Sequence, residues 1–373
     1  VNDWLNKMHR AVALLPAYLL SSPPLVLKER EPEEEVDISY YGNRSFVKID
    51  NYVSKGFRFA SIDGSSRVIK TTKGAIIVSA VTTYNTSNGI MSTHPPLFGQ
   101  PIGTDLPFIA VVSSIEPGKS ILDPFIFESN PVKLISGCGK PYSASFNLSI
   151  VSKELRENLE NVAIEKSINE NLLIDGPLIR KFKAETFINE EWNLHECYSQ
   201  ILNSLYERRK GLFTKITRAI GVVKRLENST MLAKAFGNFY GNDETLLHYL
   251  FTKNIKTTPY EKYYLGPIKV LIDNIELKIY YLSIPRHPYY RSPFFLRLEF
   301  FGYSDSEIEG KLLPYITSRL SSIGVPEEIA IVDKVSRKIT SGLYNLIYRT
   351  LESEGVSISY ESRLEEGKVK WGQ

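Results

Sequence analysis

Two Asp-Gly pairs, each placed after an apolar run, are the residues of this sequence best suited to chemistry: Ile62-Asp63-Gly64-Ser65 and Ile174-Asp175-Gly176-Pro177. Taken singly, each reads as ordinary turn chemistry, because Asp and Gly are what tight turns select. Between them lies a segment carrying Glu154, Glu157, Glu160 and Glu165. Taken one at a time, these read as the solvated face of a helix. Gathered with the two Asp, however, they are the oxygen donors a hard divalent cation requires. Two such cations ~3.5–4 Å apart activate water and stabilise the leaving oxygen of a phosphodiester. Hydrolytic phosphoryl transfer is therefore the expected chemistry. Competing chemistries lack their residues. His9, His94, His195, His248 and His287 show no His-x-x-x-His or Cys-His spacing for zinc, and no Gly-x-x-x-x-Gly-Lys-Ser/Thr run exists to cradle a nucleotide, so any ATPase activity would belong to a partner. Cys138 and Cys197 are far apart and in unlike contexts, which excludes a disulfide scaffold or a Cys-rich zinc module and fits a reducing compartment.

The elements that must position these carboxylates follow from periodicity. The run 57–62 alternates, turn residues follow at 63–66, and 68–83 carries two β-rich runs split at Lys73-Gly74, which predicts a three-stranded meander opened by Asp63. Residues 85–107 read as a long loop and 108–115 as a strand. From 148 to 171 there is no Pro or Gly, and Leu155, Leu159, Val162 and Lys166 share one helical face with Glu160 at its border. A short strand ending at Asp175 follows. Helices are expected at 188–208 and 244–253, strands at 268–272, 275–283 and 294–301, and helices at 305–322 and 327–352. Meander with Asp, helix with Glu, then strand with Asp is the order an RNase H-like fold uses. The expected fold class is thus α/β, a mixed β-sheet flanked by helices, with helical N- and C-terminal additions.

The 373 residues are 43% apolar and 12% aromatic, a globular composition; at ~150 residues per domain they allow two units or one elaborated domain. The expected division is a helical and linker segment over 1–55, a nuclease domain over 56–352 and a polar tail over 353–373. Leu5, Met8, Leu15 and Leu19 give the first twenty residues an apolar helical face, expected to dock on a dimer partner or other protein. A signal peptide is not expected there, since Pro16 interrupts the apolar stretch and Ser21-Ser22-Pro23-Pro24 is a poor cleavage site. No run approaches ~18 apolar residues, so no membrane span and a soluble, cytoplasmic protein are expected. The acidic run 29–37 reads as a solvated linker.

Beyond this chemistry, the segments 59–66 (Phe-Ala-Ser-Ile-Asp-Gly-Ser-Ser), 173–178 (Leu-Ile-Asp-Gly-Pro-Leu), 220–225 (Ile-Gly-Val-Val-Lys-Arg) and 297–300 (Arg-Leu-Glu-Phe) together, and in this order, resemble the NurA nucleases of archaea. The resemblance implies a Mn²⁺-dependent nuclease, with Mg²⁺ as the alternative ion. It implies 5′-to-3′ exonuclease action on single- and double-stranded DNA and endonuclease action on single strands. It also implies a homodimer around a DNA channel that works with the hexameric HerA helicase-translocase in end resection and recombinational repair. On the family's pattern Asp63 and Asp175 are metal ligands, Glu160 is the helix ligand with Glu157 in reserve, and Lys224 neutralises the scissile phosphate. The family's Gly-Tyr-Pro and later Ala-His are here Gly324-Val325-Pro326 and Val332-Asp333. Asp333 can replace an imidazole as a ligand. Val325 cannot replace a phenol. A weakened subunit that binds DNA and HerA as a scaffold is the alternative reading, and an RNA-cutting enzyme a third.

A balance of 45 basic against 42 acidic residues, net +3, neither announces nor excludes nucleic acid. The run Arg286-His287-Pro288-Tyr289-Tyr290-Arg291 interleaves cations with stackable rings, which suits single strands, although its Pro also fits a plain loop. Lys215, Arg218, Lys224 and Arg225 belong to the densest basic stretch. Arg286, Tyr290, Arg291, Lys215, Arg218 and Arg225 are the expected DNA contacts. Positive charge is expected to line a concavity around Asp63 and Asp175, with the acidic run facing away.

Overall fold

The computed structural model describes residues 2–21, 33–35, 45–50, 56–120, 130–183, 192–227, 229–236, 241–255, 261–285 and 293–371. Among these, one sheet of twelve strands forms the centre. Its main strands are β1 (Ala60–Thr71), β2 (Gly74–Asn85), β3 (Ile90–His94), β4 (Ile109–Ser113), β5 (Leu172–Asp175), β6 (Ala219–Val223), β7 (Tyr263–Ile272), β8 (Ile275–Ile284) and β9 (Phe294–Phe301). They lie in the order β7-β8-β9-β6-β5-β1-β2-β3, while β4 pairs with the far half of β2. Only β5 runs parallel to its main-strand neighbours, β1 and β6. The order β3-β2-β1-β5-β6, with a helical crossover before each parallel strand, is the RNase H-like arrangement, and β9, β8 and β7 extend it with an antiparallel meander.

The crossovers are α1's successors in the chain. After α1 (Asn2–Leu20), α2 (Leu148–Lys166) joins the meander to β5 and α3 (Trp192–Phe213) joins β5 to β6. Further on come α4 (Asp243–Asn254), α5 (Glu327–Ser353) and α6 (Tyr360–Trp371). Alternation along β2 and β4 sorts the layers. Ala75, Ile77, Ala110 and Val112 pack with Leu148, Ile150, Val151 and Leu155 of α2 and with Leu194, Ile201 and Leu205 of α3. Ile76, Val78, Ile109 and Val111 belong to the main core, which includes Leu343, Tyr344 and Ile347 of α5. α2 starts where Asn147 accepts the Ser149 N–H at its N-cap.

Several expectations change. The turn expected at 63–66 does not exist: β1 runs unbroken through Asp63 and Gly64, and the meander is β1, β2 and β3, the last lying inside the expected loop. The glycine-rich flanks that suggested a loop are the positive-φ turns on either side of β3, Gly89 and Gly99. α1 forms as expected, yet its apolar face is already covered, with Met8, Ala11, Val12, Leu15, Tyr18 and Leu19 buried in the chain's own core, so it offers no such face to a partner. The expected polar tail folds as α6, tied by Lys70 to Glu361 at 2.8 Å, by Arg67 to Glu365, and by Tyr344 Oη to the Ser362 carbonyl at 2.7 Å. Cys138 and Cys197 are joined in one disulfide. That is no scaffold, but neither is it the thiol pair expected of a reducing compartment. The acidic run lies outside the described residues except at Glu33–Glu35, whose backbone pairs with Lys181–Lys183 directly after Arg180 of the site. Among the described residues no helix is long and apolar enough to cross a membrane.

Candidate metal centre

Register brings the two aspartates together. Ile62 pairs with Ile174 across the parallel β1–β5 ladder, so Asp63 follows alongside Asp175, while Val222 of β6 flanks Asp175 on its other side. Each glycine of the two motifs has its own task. A Cβ on Gly64 would stand 2.5 Å from Glu160 Oε1, so the bare strand lets α2 lay its carboxylate against β1. Gly176, at φ 111°, does make a turn. That turn folds over Gly221, where a Cβ would meet the Gly176 carbonyl oxygen at 2.8 Å.

From the other side α5 delivers Asp333. One carboxylate oxygen from each of Asp63, Asp175 and Asp333 lies within 4.8 Å of the others. Lys224, just past the end of β6, puts Nζ 2.5 Å from Asp175 Oδ2 and 3.6 Å from Asp333 Oδ1. Ser336, one turn after Asp333, donates a hydrogen bond from Oγ to Asp63. Arg337 closes on Asp333 at 2.9 Å. Asp63, Asp175, Asp333, Lys224 and Arg337 line a cavity of about 560 Å³. Its wall carries the cations Arg67, Arg156, Arg180, Arg209, Lys224, Arg225 and Arg337 against the carboxylates Asp63, Glu157, Glu160, Asp175 and Asp333.

The electrostatics show crowding. Burial and the charge of Asp175 hold the Asp63 carboxyl well above the usual carboxylate range; the Ser336 hydrogen bond opposes this, while Asp333 and Glu160 add to it. Asp175 is pushed up to about 6, mainly by burial, with Lys224 opposing and Asp333 and Glu160 reinforcing. Glu157 behaves oppositely: burial raises it, but Lys153, Arg209, Arg156 and Arg180 together hold it below its ordinary value. Three hard oxygen donors gathered this closely, two of them raised by burial and by their acidic neighbours, are a donor set that a divalent cation satisfies.

Of the residues singled out from sequence, Asp63, Asp175, Glu160, Lys224, Arg225 and Asp333 all line this cavity. Glu160, however, is held by Arg209 at 3.0 Å and Arg156 at 3.5 Å, and Asp333 takes the third place beside the two strand aspartates. Lys215 and Arg218 do not line it. They precede β6 at the opposite end of the strand, where Arg218 pairs with Glu307 at 2.9 Å and lies over the Tyr303 ring. Arg286, Tyr290 and Arg291 lie outside the described residues. Val325 is 2% exposed inside an apolar cluster, so it contributes no polar atom. Ser336 and Arg337 were not foreseen, although helical spacing from Asp333 places them on its face. Arg67, Arg156 and Arg180 gave no signal of their own.

The NurA domain family model matches residues 57–337. Among solved structures, the chain is similar to the NurA nuclease from Sulfolobus solfataricus (13% identity, TM-score 0.42, covering 83% of this chain and 86% of that one). It is similar to a NurA bound to dAMP and manganese at 7% identity and TM-score 0.40, covering 86% and 87%. An endonuclease V from Streptomyces avermitilis gives 10% identity and TM-score 0.28, covering 89% and 92%. Among curated proteins none matches the sequence. The family model takes in the strand aspartates, the crossover helix, Lys224 and Asp333 alike, and on that match this chain belongs to the NurA family.

Proposed function

We propose that this chain is a divalent-metal-dependent deoxyribonuclease. The single observation that carries the reading is the convergence of Asp63, Asp175 and Asp333 within 4.8 Å, beside Lys224 and inside a cation-lined cavity. Those three carboxylates would hold Mn²⁺ or Mg²⁺, with Glu160 on α2 as a further oxygen donor. A bound ion of this kind supplies a Lewis acid to the phosphodiester and lowers the pKa of water. The chain's own residues do the rest. Ser336 fixes the orientation of Asp63, Lys224 places a positive charge where the anionic transition state develops, and the arginines of the wall hold flanking phosphates. Family membership supports, as part of the same proposal, 5′-to-3′ exonuclease and single-strand endonuclease action. It likewise supports a homodimer acting with the HerA helicase-translocase in DNA end resection.

The test is direct. Asp63→Ala and Asp175→Ala should each abolish Mn²⁺-dependent degradation of single-stranded DNA with the fold retained by circular dichroism, and full activity in either would overturn the assignment. Val325 favours a second reading, a scaffold that binds DNA and HerA without cutting. Purified wild-type protein that binds DNA in Mn²⁺ but leaves it intact would select that reading.

A further inference from the structure

Arg297 and Glu299 on β9 are 2% and 1% exposed, and Arg297 heads the fully buried side chains by size. Burying two charges costs several kcal/mol per ion before their attraction is counted, so an apolar pair of equal volume would hold a sheet together at least as well. What this pair touches gives it another role. Glu299 accepts from Arg297 Nη2 at 3.0 Å on Oε1 and from the Leu178 N–H at 2.8 Å on Oε2. Leu178 is fully buried, so without Glu299 that N–H would be stranded. It belongs to the turn that leaves Asp175, and the turn rests on β6 where Gly221 gives it room: the Gly176 N–H donates to the Val222 carbonyl at 2.9 Å, and the Leu178 nitrogen would be 3.1 Å from a Cβ at Gly221. Glu299 sits opposite Gly221 in the β6–β9 ladder, directly beneath.

Arg297 is anchored in turn. Its Nη1 donates to Ser229 Oγ at 2.7 Å, Ser229 donates to Asp243 Oδ2 at 2.5 Å, and Tyr281 Oη donates to the same oxygen at 2.9 Å. Asp243 Oδ1 accepts the N–H groups of Leu232 and Ala233 at 2.8 and 3.2 Å. A chain of buried polar contacts therefore runs from the start of α4 through β9 to the turn behind Asp175.

We propose that Glu299, held by Arg297, is the positioning residue of the metal centre: through the Leu178 N–H it fixes the 176–178 turn and so the direction of the Asp175 carboxylate. The proposal rests on the metal-nuclease reading above and names what aims one of its ligands.

The experiment uses the full chain with Mn²⁺ as probe. Glu299→Met keeps the volume and loses the acceptor, whereas Glu299→Gln keeps an oxygen for the Leu178 N–H. At a temperature where all are folded, Glu299→Met should bind Mn²⁺ at least tenfold more weakly and lose kcat on single-stranded DNA at least tenfold. KM for DNA should stay within twofold, and Glu299→Gln should recover most of both losses. A role in packing alone lowers the melting temperature and leaves Mn²⁺ affinity and the kcat-to-KM split of the folded protein as in wild type, and that result overturns the proposal. Should Glu299→Met not fold, hydrogen exchange at the Leu178 amide in Glu299→Gln decides. Protection and Mn²⁺ affinity should be kept or lost together, and lost protection with unchanged affinity overturns it. If wild-type protein binds no Mn²⁺, the nuclease reading has failed, and the exchange measurement still shows whether Glu299 holds the turn.

Discussion

Two buried carboxylates, Glu154 and Asp63, lie at similar depth and are furnished in opposite ways. Glu154 on α2 is 2% exposed and met by three donors: Lys133 and the Gly137 N–H at 2.8 Å on one oxygen, Tyr142 Oη at 2.9 Å on the other. Asp63 is 7% exposed, receives Ser336 and otherwise faces Asp175, Asp333 and Glu160. A carboxylate met by three donors, with both oxygens engaged, ties a loop to a helix. Carboxylates that meet one another are unstable as anions until a cation arrives. The contrast separates an acid engaged by donors from one crowded by other acids, and each half of it can be broken.

The largest effects should come from exchanging the two sites. Asp63→Ala or Asp175→Ala should lower nuclease activity about a thousandfold or more, the scale expected when a metal site is dismantled. The melting temperature of the metal-free protein should hold or rise, because repulsion is relieved. Glu154→Ala should do the reverse, costing about 3 kcal/mol in denaturant unfolding by leaving Lys133 and Tyr142 unpaired, with activity per folded molecule within twofold of wild type. Next in size, Lys224→Met should lower kcat by about a hundredfold, comparable to losing one electrostatic contact to a developing charge, while Mn²⁺ binding persists in calorimetry.

The pH response should sharpen the contrast further. Asp175 lies near 6, and Asp63 is held well above its ordinary 3.8. For acids raised by folding, the stability they contribute is complete below the unfolded value and lost as pH rises through the folded one. The metal-free protein should therefore lose stability from Asp175 between about pH 4 and pH 6, with Asp63 acting in the same direction, while Mn²⁺ affinity climbs over the same range. Asp63→Asn should flatten the slope of melting temperature against pH. Identical slopes would remove the crowding from the account. The smallest effect belongs to the cavity rim: Arg225→Ala should raise KM for single-stranded DNA a few-fold and reduce the salt dependence of binding by about one counterion, with kcat intact.

Much of this contrast was legible in the sequence, in parts. Asp63 and Asp175 each close an apolar run of the sequence, and the segment between them shows a plain helical period, so an α/β fold with a mixed sheet and a crossover helix could be read, whereas the place of Asp63 inside β1 rather than at its end could not. Asp333 emerged as a substitution within a known frame. What the sequence hid was long-range complementarity. Gly64 looks like a turn residue and is a clearance for Glu160, a distinction that exists only when α2 lies on β1. The glutamates of α2 look alike in sequence, yet Glu154 is caged by a loop, Glu157 sits among four cations and Glu160 is claimed by Arg209 of the next helix. The apolar face of α1 advertised a partner, and the partner is the chain's own core. Arg218 and Arg225 stand in one basic stretch, but a five-residue strand separates them, one at each of its ends.

A crystal grown with Mn²⁺ and measured at the manganese edge tests the central claim most directly. Anomalous density should appear between Asp63, Asp175 and Asp333, with Lys224 Nζ displaced from Asp175 and Glu154 still bound by Lys133 and Tyr142. Full manganese occupancy elsewhere, with Asp63, Asp175 and Asp333 bare and Lys224 in place, would contradict it.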